Sequence, residues 1–532
     1  MLSNTLQHKR YKLKKITVSH VEISKKANEE LVEYPIDNQP VIKSKKEIFH
    51  KLLQEYLYDS SVHGMKYFSN LKIKSSIIGK LFWTTIIICS FVFLTQMLHK
   101  FWEHYNANPI RSIVKSFHVP IFMAPFPALT ICPLIPPPVA RRNVVFASLR
   151  LPNNMSYTTG RFLVRYGPAF ANENAPGGKD HIDNFKLLLK TNNLSLTDFI
   201  KALRPCEDIF ESCAWQDVDT NCSELFKVSY TFAGICCSFN YYLEESIKIG
   251  RATKVDLLTT PFYGPRTGLQ IVLNRSFLIE DDDMDEKYIK SSTNSVGLVV
   301  FSHHPLEYVA TIATRQILQK GQYVLTSVNP IINKKLSGYY HRDSTSGELI
   351  QNCADEKTKL DYFPTYGYSN CFTSCSIKAV LQACGCLPLY YTPIAEKHSL
   401  RLCEWEDFQC LYANADNIRI IQNVVRNNFT CDCFTPCQSV QYELQTSRLL
   451  LNGNKNYNPA SFKNISTNQS VLKIYMKSAT FIEMDTIPIA DELYLLASLG
   501  GIFSLFLGCS FISVLEIFYF IVLFLGSKFK SK

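Results

Sequence analysis

The chain has 532 residues, enough for two or three domains, and a formal net charge of +10. Such a charge is common in nucleic-acid-binding proteins, but here the lysines and arginines are dense before the first apolar stretch and recur after the last one, without the interleaved aromatic residues that bind single strands. This distribution excludes nucleic acid as the expected partner and favours a membrane protein with both termini in the cytoplasm.

Residues 1–78 form the predicted cytoplasmic N-terminal region. Up to about residue 60 they are polar, basic and poorly periodic, so we expect a mostly flexible tail. The dipeptide His63-Gly64 follows. By itself so short a motif indicates only a turn at the inner face of the membrane.

The first apolar stretch runs from Leu81 to Leu98, 18 uncharged residues between Lys80 and Lys100. A signal-peptide core is the alternative interpretation, but the stretch begins about 80 residues into the chain and no small-residue cleavage site follows it. We therefore predict a first transmembrane helix over residues 79–98.

Residues 99–492 are predicted to be extracellular. Of 18 cysteines, 16 lie between Cys132 and Cys437, an even set that is typical of disulfides formed in an oxidising compartment. Glycosylation sequons occur in the same segment, at Asn154, Asn193, Asn274, Asn428, Asn464 and Asn468. Two independent signals thus place this segment outside the cell.

Within this segment the pattern predicts an α+β domain. The run 126–138 resembles a short strand stopped by prolines, and polar helices are expected around Cys206, Cys213 and Cys222. Further strands are predicted at residues 228–240, 267–274, 297–302 and 322–328.

An acidic run lies between two of these strands, at residues 280–286. Its candidate residues are Asp281, Asp282, Asp283 and Asp285. A solvated loop is the simpler interpretation. A cation- or proton-responsive site is the other, because crowded like charges raise one another's pKa.

The densest cysteine signal lies between Cys353 and Cys437. Cys371 and Cys375 share one face of a predicted helix about 6 Å apart, and Cys431 and Cys433 share one face of an extended segment about 6.6 Å apart. Two parallel bridges can therefore join the helix to the extended segment, although zinc also suits this spacing. The expected pairs are Cys371–Cys433, Cys375–Cys431, Cys353–Cys437, Cys384–Cys410 and Cys386–Cys403.

The second apolar stretch runs from Leu493 to Leu525, before a short cytoplasmic tail at 526–532. As one straight helix it would extend about 50 Å, against a hydrocarbon core of about 30 Å, so it must tilt, break or project from the bilayer. Small residues in its middle fit close helix packing, but Gly508-Cys509-Ser510 also fits an unwound, pore-lining backbone. Glu516, an ionisable residue inside the membrane, is a functional candidate by default.

Five elements together resemble one known family. They are His63-Gly64, FPALTIC at Phe126–Cys132, G-x-C-x-x-F-N at Gly234–Asn240, the nested cysteine block, and LGGIFSLFLGCSFISVLE at Leu499–Glu516. Over about residues 60–525 the chain resembles the degenerin/epithelial sodium channel superfamily, and within it the insect pickpocket subunits.

The resemblance implies a membrane protein with two transmembrane helices and a large disulfide-rich α+β extracellular domain, comprising a palm β-sheet, a helical thumb and a finger. It also implies a homotrimeric or heterotrimeric sodium-selective cation channel in the plasma membrane, blocked by amiloride. Gating would be by an extracellular ligand, force or protons. The chain would need no cofactor beyond the permeant Na⁺, and its partners would be related subunits, membrane lipid and an unidentified extracellular ligand.

By motif match, Gly508-Cys509-Ser510 would be the selectivity tract and Ser504 the amiloride contact. Ala497 would occupy the position where bulky residues hold such channels open, and His63 and Gly64 the gating position near the inner pore mouth. The family pairing implies Cys132–Cys236 and Cys213–Cys222. Cys206 and Cys237 remain, and we expect them to pair with each other.

The central cysteine of the selectivity tract departs from the commoner alanine or serine of the family. The acidic run occupies roughly the place where acid-sensing relatives carry carboxylates facing the thumb. Thumb residues able to oppose it are Glu404, Glu406, Asp407 and Asp416.

Other functions have less support. A non-conducting two-pass cysteine-rich receptor or accessory subunit is the main alternative, and it needs no Gly-x-Ser tract. An ectoenzyme is not expected, because the sequence shows no metal-ligand histidine cluster, no G-x-S-x-G and no P-loop. A trimeric ATP-gated channel shares the two-span layout but differs in its cysteine pattern.

Overall fold

The structure is a computed structural model. It describes residues 45–69, 76–106, 110–134, 136–170, 181–251, 257–278, 297–338, 340–342, 349–355, 357–404, 406–419, 431–452, 465–489 and 491–530. The chain divides into two compact units, Met1–Leu94 with Phe503–Lys532, and Thr95–Ile502. Among the predicted site residues, the acidic run, Asn428 and Asn464 lie outside the described residues.

The helices, in chain order, are α1 (Lys45–Asp59), α2 (Ile77–Asn106), α3 (Val139–Ser148), α4 (Tyr157–Phe170), α5 (Ile182–Thr191), α6 (Leu196–Leu203), α7 (Cys206–Ile209), α8 (Cys222–Leu225), α9 (Leu243–Ile249), α10 (Tyr368–Cys384), α11 (Thr392–His398), α12 (Phe408–Arg419), α13 (Glu492–Leu507) and α14 (Phe511–Lys530).

The strands are β1 (Ile110–Pro120), β2 (Ala128–Pro133), β3 (Phe210–Trp215), β4 (Val218–Thr220), β5 (Phe226–Thr231), β6 (Gly234–Phe239), β7 (Leu269–Leu273), β8 (Leu298–His303), β9 (Thr314–Leu318), β10 (Gln322–Lys334), β11 (Tyr340–Arg342), β12 (Leu349–Gln351), β13 (Gln438–Leu450), β14 (Ser470–Met476) and β15 (Thr480–Pro488).

Two sheets form the centre of the second unit. The larger sheet has the order β1-β15-β10-β14-β7-β3-β4, with β13 also paired to β10, and the smaller has the order β5-β6-β2-β8-β9. Their facing sides share one core, in which Phe126, Phe239, Phe277 and Phe481 are fully buried. Burying four phenylalanine side chains stabilises the pair of sheets by roughly 1.5–3 kcal/mol each.

Strand β1 follows α2 in the chain and strand β15 precedes α13, and the two strands pair antiparallel with each other. Ion pairs join β1 to β15 and β15 to β10. Lys115 Nζ on β1 lies 3.3 Å from Asp485 Oδ2 on β15, and Lys334 Nζ on β10 lies 2.6 Å from Glu483 Oε1 on β15. The strands that lead into and out of the two apolar helices are thus cross-linked by charge as well as by backbone hydrogen bonds.

Helices cover the sheets in two groups. Helices α3 to α6 share a core that includes Phe185, Phe199 and Leu203, and a second core joins α9, α10 and α11 around Tyr308, Ile377 and Ile394. Strands gathered in two mainly antiparallel sheets, with helices packed in separate groups, give the α+β organisation expected from the sequence.

Sixteen cysteines form eight disulfides. The pairs are Cys132–Cys236, Cys206–Cys237, Cys213–Cys222, Cys353–Cys437, Cys371–Cys433, Cys375–Cys431, Cys384–Cys410 and Cys386–Cys403. These are the pairs expected from the sequence, and the remaining two cysteines, Cys89 and Cys509, are free thiols. The cysteine sulfurs whose spacing also suited a zinc site are bonded to one another in these disulfides, so they are not thiolate ligands in this structure.

The structure differs from the expected elements in several places. Cys213 lies on strand β3 rather than in a helix. The single strand expected at 228–240 is the hairpin β5–β6, because Gly234 (φ 104°) lets the chain reverse. Cys431 and Cys433 lie in irregular backbone instead of a strand, since two disulfides fix that segment without ladder hydrogen bonds.

The first unit contains α1, residues 77–94 of α2, residues 503–507 of α13 and all of α14. Helix α2 is long and apolar enough to cross a membrane, and α13 with Phe511–Gly526 passes the same test only as a pair, bent by 70° at a break. The expectation of a flexible tail up to about residue 60 is wrong for its last part, which forms α1. The ring of Phe49 on α1 packs edge-on against Phe524 of α14, and that packing holds the helix.

Candidate functional site

The candidate site is the break between α13 and α14, at Gly508, Cys509 and Ser510. Gly508 has a left-handed backbone (φ 65°), and its N–H donates to the Ser504 carbonyl at 2.9 Å. This is a common way for glycine to end a helix, because glycine adopts the left-handed conformation without steric cost. In the described part of the chain, neither the Gly508 nor the Cys509 carbonyl accepts a hydrogen bond from protein.

Helix α14 begins directly after the break. The Ser510 N–H donates to Ser513 Oγ at 3.0 Å, and the Ser513 N–H donates to the Ser510 carbonyl at 3.0 Å. Ser513 therefore satisfies an N–H that the first turn of the helix leaves without a helical partner.

The His63-Gly64 turn lies against this break. The His63 N–H donates to the Leu507 carbonyl, the last of α13, at 3.0 Å. A Cβ placed on Gly508 would overlap the His63 imidazole. A glycine is therefore needed at position 508 for two reasons. It adopts the left-handed backbone angle, and it leaves the space that the His63 imidazole occupies.

Gly64 is equally constrained. It is buried with φ 87°, and a Cβ there would lie 3.3 Å from Ile87 Cδ1 and 3.4 Å from Trp83 Cε3 on α2. Next to it, the Tyr67 ring stacks on Trp83 with the ring centroids 4.3 Å apart and the planes 9° apart. The turn therefore packs between α2 and the break.

Glu516 also contacts this N-terminal segment. Its Oε2 accepts hydrogen bonds from the Ser61 N–H at 3.1 Å and from Ser61 Oγ at 2.9 Å. The Ser61 and Ser513 hydroxyls are 2.6 Å apart. The structure thus brings His63, Gly64, Gly508 and Glu516 together, although more than 400 residues separate the two segments.

Two other predicted residues lie upstream on α13, away from this contact. Ser504 is exposed one helical turn before Gly508, and Ala497 is exposed farther toward the start of the helix. Of the tract itself, Ser510 is exposed and Cys509 is half-buried. Exposed small side chains on an apolar helix leave room for another helix or for water beside it.

Comparison with known proteins identifies the family of this site. The profile of the amiloride-sensitive sodium channel family matches residues 56–520, nearly the whole chain. The chain belongs to this family. The matched range includes both the His63-Gly64 turn and the break at Gly508.

Individual proteins that resemble this chain belong to the same family of channels. The sodium channel protein Nach of Drosophila melanogaster is 24% identical over 494 residues, covering 90% of this chain and 88% of that protein. Pickpocket protein 28 of the same fly is 24% identical over 88% of this chain and 77% of its own length. Acid-sensing ion channel 1C of Danio rerio is 23% identical over 90% and 84% respectively. The chain is thus a degenerin/epithelial sodium channel family member that resembles insect pickpocket subunits.

Sequence analysis missed α1 as part of this site. Besides the Phe49–Phe524 contact, the Tyr56 ring packs edge-on against Phe520, with centroids 5.2 Å apart. Ser69 Oγ, after the turn, donates to the Gln54 carbonyl of α1 at 3.0 Å. The seven-residue spacing of Phe49 and Tyr56, two turns on one helix face, is the signal that identifies this helix.

Outside the apolar helices, two of the candidate carboxylates in the cysteine-rich block, Glu406 and Asp407, are paired with cations. Arg401 donates two hydrogen bonds to Asp407, at 2.6 and 3.0 Å, and these hold the pKa of Asp407 below its usual value. Lys186 Nζ on α5 lies 2.9 Å from Glu406 Oε1. Asp407 therefore stays ionised at neutral and mildly acidic pH, which weakens its case as a proton sensor.

Two other carboxyl groups, which no sequence motif singles out, have pKa values raised toward neutrality by burial. Burial raises the pKa of Glu244 to about 7, although its Oε1 accepts a 2.7 Å hydrogen bond from the Tyr230 N–H. Burial likewise raises the pKa of Glu307 to about 7. These groups change charge in the pH range where an extracellular proton response would operate.

The sequons differ in accessibility. The side chains of Asn154, Asn193 and Asn468 are exposed. Asn274 is half-buried, and its Oδ1 accepts hydrogen bonds from the Ser276 N–H and hydroxyl. The first three are therefore the more accessible carriers for a glycan.

Proposed function

We propose that this chain is one subunit of a trimeric, sodium-selective and amiloride-sensitive cation channel of the plasma membrane. In this proposal both termini are cytoplasmic, residues 79–98 and 493–525 are the two membrane spans, and residues 99–492 form a glycosylated extracellular domain of palm, thumb and finger. An extracellular ligand, force or protons would open the channel. Its function needs no cofactor, and sodium is the ion that passes.

One observation carries the proposal: the apolar helix is interrupted at Gly508-Cys509-Ser510 with two carbonyls that no described protein group satisfies. Such backbone is tolerated at membrane depth only where it is buried in protein or lines water. Carbonyl oxygens and a serine hydroxyl are the groups that replace the hydration shell of a cation. Conduction through this step explains why the break is there.

Membership of the family supports the general part of this proposal, that the chain is a sodium channel subunit. Relatives of this chain are named a sodium channel protein and an acid-sensing ion channel, and 88% and 84% of their respective lengths align with it. We extend this to selectivity at the Gly508–Ser510 tract, to amiloride contact at Ser504 and to gating at His63 and Gly64, with small Ala497 allowing the pore to close.

The test is voltage clamp of oocytes that express the chain alone and with pickpocket-type subunits. We expect an inward current that disappears when sodium is replaced by a large organic cation, and that amiloride blocks. A Gly508→Val variant that reaches the cell surface is expected to lose sodium selectivity, whereas Gly526→Val, near the end of α14, is the matched control. Surface-expressed, correctly oxidised protein that passes no current in any combination would instead identify a non-conducting accessory subunit.

A further inference from the structure

Glu244 places a carboxyl group where three elements of the disulfide-bonded domain meet. It lies on α9, and its Oε1 accepts a hydrogen bond from the Tyr230 N–H of β5 at 2.7 Å. Leu243 and Ile247 of α9 belong to the buried core that also contains Ile394 of α11. We call this packing of α9 against β5 and α11 the α9 joint.

The α9 joint connects the smaller sheet to the cysteine-rich block at residues 353–437. Strand β6 of the sheet precedes α9 in the chain, whereas α11 lies inside the loop that the disulfide Cys386–Cys403 closes. Lys397 Nζ of α11 donates to the Lys248 carbonyl of α9 at 3.0 Å. A change at the joint therefore changes how the block is held on the sheet.

Glu244 lacks the partners that a buried carboxylate needs. Among the residues that the structure describes, the Tyr230 N–H is the one hydrogen-bond donor to its carboxyl group, and no lysine or arginine forms an ion pair with it. The adjacent Glu245 is paired instead, with Lys227 Nζ 2.7 Å from its Oε1. A carboxylate with a single hydrogen bond loses most of its hydration without compensation, and binding a proton removes that penalty.

The electrostatic surroundings of Glu244 do not reverse this. Lys201 of α6 and Lys248 favour its charged form, but burial outweighs both and raises its pKa to about 7. The other titratable groups around it come from β5, α9, the segment after β8, and α11: Tyr230, Tyr241, Glu245, Tyr308 and, beside Tyr230, Glu396. These tyrosines are neutral and these glutamates negative, so none stabilises a charge on Glu244.

The pKa of Glu244 sets the direction of the pH effect. The side chain as a whole is half-buried, so a proton reaches it from solvent. When the joint opens and water surrounds the carboxyl group, its pKa returns from about 7 to its ordinary value of 4.5, and a proton is released. The stabilisation of the closed joint is therefore complete below pH 4.5 and is lost as the pH rises through 7. With these values, the ratio of open to closed joints rises about tenfold from pH 6 to pH 8.

We propose that Glu244 is a proton-binding site: its proton locks the α9 joint, and release of this proton loosens the hold of the cysteine-rich block on the smaller sheet and so changes the channel current. Only the last step rests on the proposed channel function. The site is separate from the acidic run at residues 280–286 and from the paired carboxylates Glu406 and Asp407.

The first test measures the lock without current, by hydrogen–deuterium exchange and mass spectrometry of the purified full-length chain at pH 6 and pH 8. After correction for the intrinsic exchange rate at each pH, the protection of the peptide that covers α9 is expected to fall about tenfold between these values. Glu244→Gln keeps the shape of the side chain but cannot ionise, so its protection should stay constant. Glu245→Gln, one residue farther along α9, is the matched control and should follow the native chain.

Two results of the exchange experiment would overturn the proposal. Protection that changes with pH equally in the native chain and in Glu244→Gln would mean that this carboxyl group is not the proton site. Loss of the pH effect in Glu245→Gln as well would mean that the response belongs to the surface charge of α9.

The second test records sodium current per surface molecule in oocytes at external pH 6 and pH 8. The native current is expected to change several-fold between these values, the Glu244→Gln current to stay constant, and the Glu245→Gln current to follow the native one. A conducting channel in which Glu244→Gln leaves the pH response unchanged would refute regulation by the lock. A surface-expressed chain that shows the exchange result but never conducts would support the lock and refute only the proposed function.

Discussion

Replacing Gly508 by alanine tests the central contact most directly. At φ 65° a side chain costs about 1–2 kcal/mol, because the Cβ crowds the following carbonyl. The new methyl group would also overlap the His63 imidazole, and moving this residue away would forfeit its N–H bond to Leu507, a further loss of about 1 kcal/mol. We call the His63-Gly64 turn seated when it packs against the break as in the structure. Together the two costs disfavour the seated turn by about 2–3 kcal/mol of free energy.

At about 1.4 kcal/mol per factor of ten, this cost lowers the ratio of seated to unseated turns about 30- to 150-fold. The assay is sodium current per surface molecule in oocytes, with the sodium-to-potassium permeability ratio measured in the same cells. Gly508→Ala is expected to reduce both. Gly526→Ala is the control, because a Cβ at this helical position meets nothing within 4 Å.

The His63→Ala background separates the two contributions. Without the imidazole the overlap disappears, so Gly508→Ala should retain only the backbone cost of about 1–2 kcal/mol, roughly a 5- to 30-fold effect. A Gly508→Ala effect of the same size with and without the imidazole would refute the contact. So would a Gly508→Ala channel with native current and selectivity.

Three further predictions concern other parts of the molecule. Replacing both Cys371 and Cys433 by serine should lower the free energy of unfolding of the disulfide-bonded domain by only about 2–3 kcal/mol, because the neighbouring bridge Cys375–Cys431 still closes most of the same loop. A thermal melt that shows a loss near 4 kcal/mol, as for an isolated 62-residue loop, would contradict this nesting. Burial raises the pKa of Glu244 to about 7, so the folded domain favours its protonated form, and this contribution to stability is present near pH 5 and is lost as the pH rises to 8. Glu244→Gln should make the fall in melting temperature over this range smaller, with Glu307 accounting for the part that remains. An unchanged pH profile would remove the burial argument. Methanethiosulfonate reagents should reduce the current by reacting with the free thiol of Cys509, and full current after treatment, with Cys509→Ser as the insensitive reference, would place this thiol away from the conduction path.

Local patterns in the sequence were sufficient for several features. The first apolar helix was evident from 18 uncharged residues, since a helix that faces lipid must be apolar on all sides. The bridges Cys371–Cys433 and Cys375–Cys431 followed from matched spacings, because i, i+4 on a helix and i, i+2 in extended backbone place sulfurs at similar separations. The length of the second apolar stretch showed only that it must tilt, break or project from the bilayer, because 33 apolar residues exceed one straight membrane crossing. The residue types at Gly508-Cys509-Ser510 were what indicated where a break could lie.

Only the tertiary structure showed which distant segments contact each other. Taken by itself, His63-Gly64 indicated only a turn. The fold shows that the His63 N–H donates to the Leu507 carbonyl and that the His63 ring fills the space beside Gly508 that a side chain would need. The sequence likewise made Glu516 a candidate ion site, whereas the fold gives its oxygen to Ser61. Periodicity and composition report what each segment can bury. Which distant segment supplies the partner depends on how the whole chain packs, and that is why the contacts around the broken helix had to be seen in three dimensions.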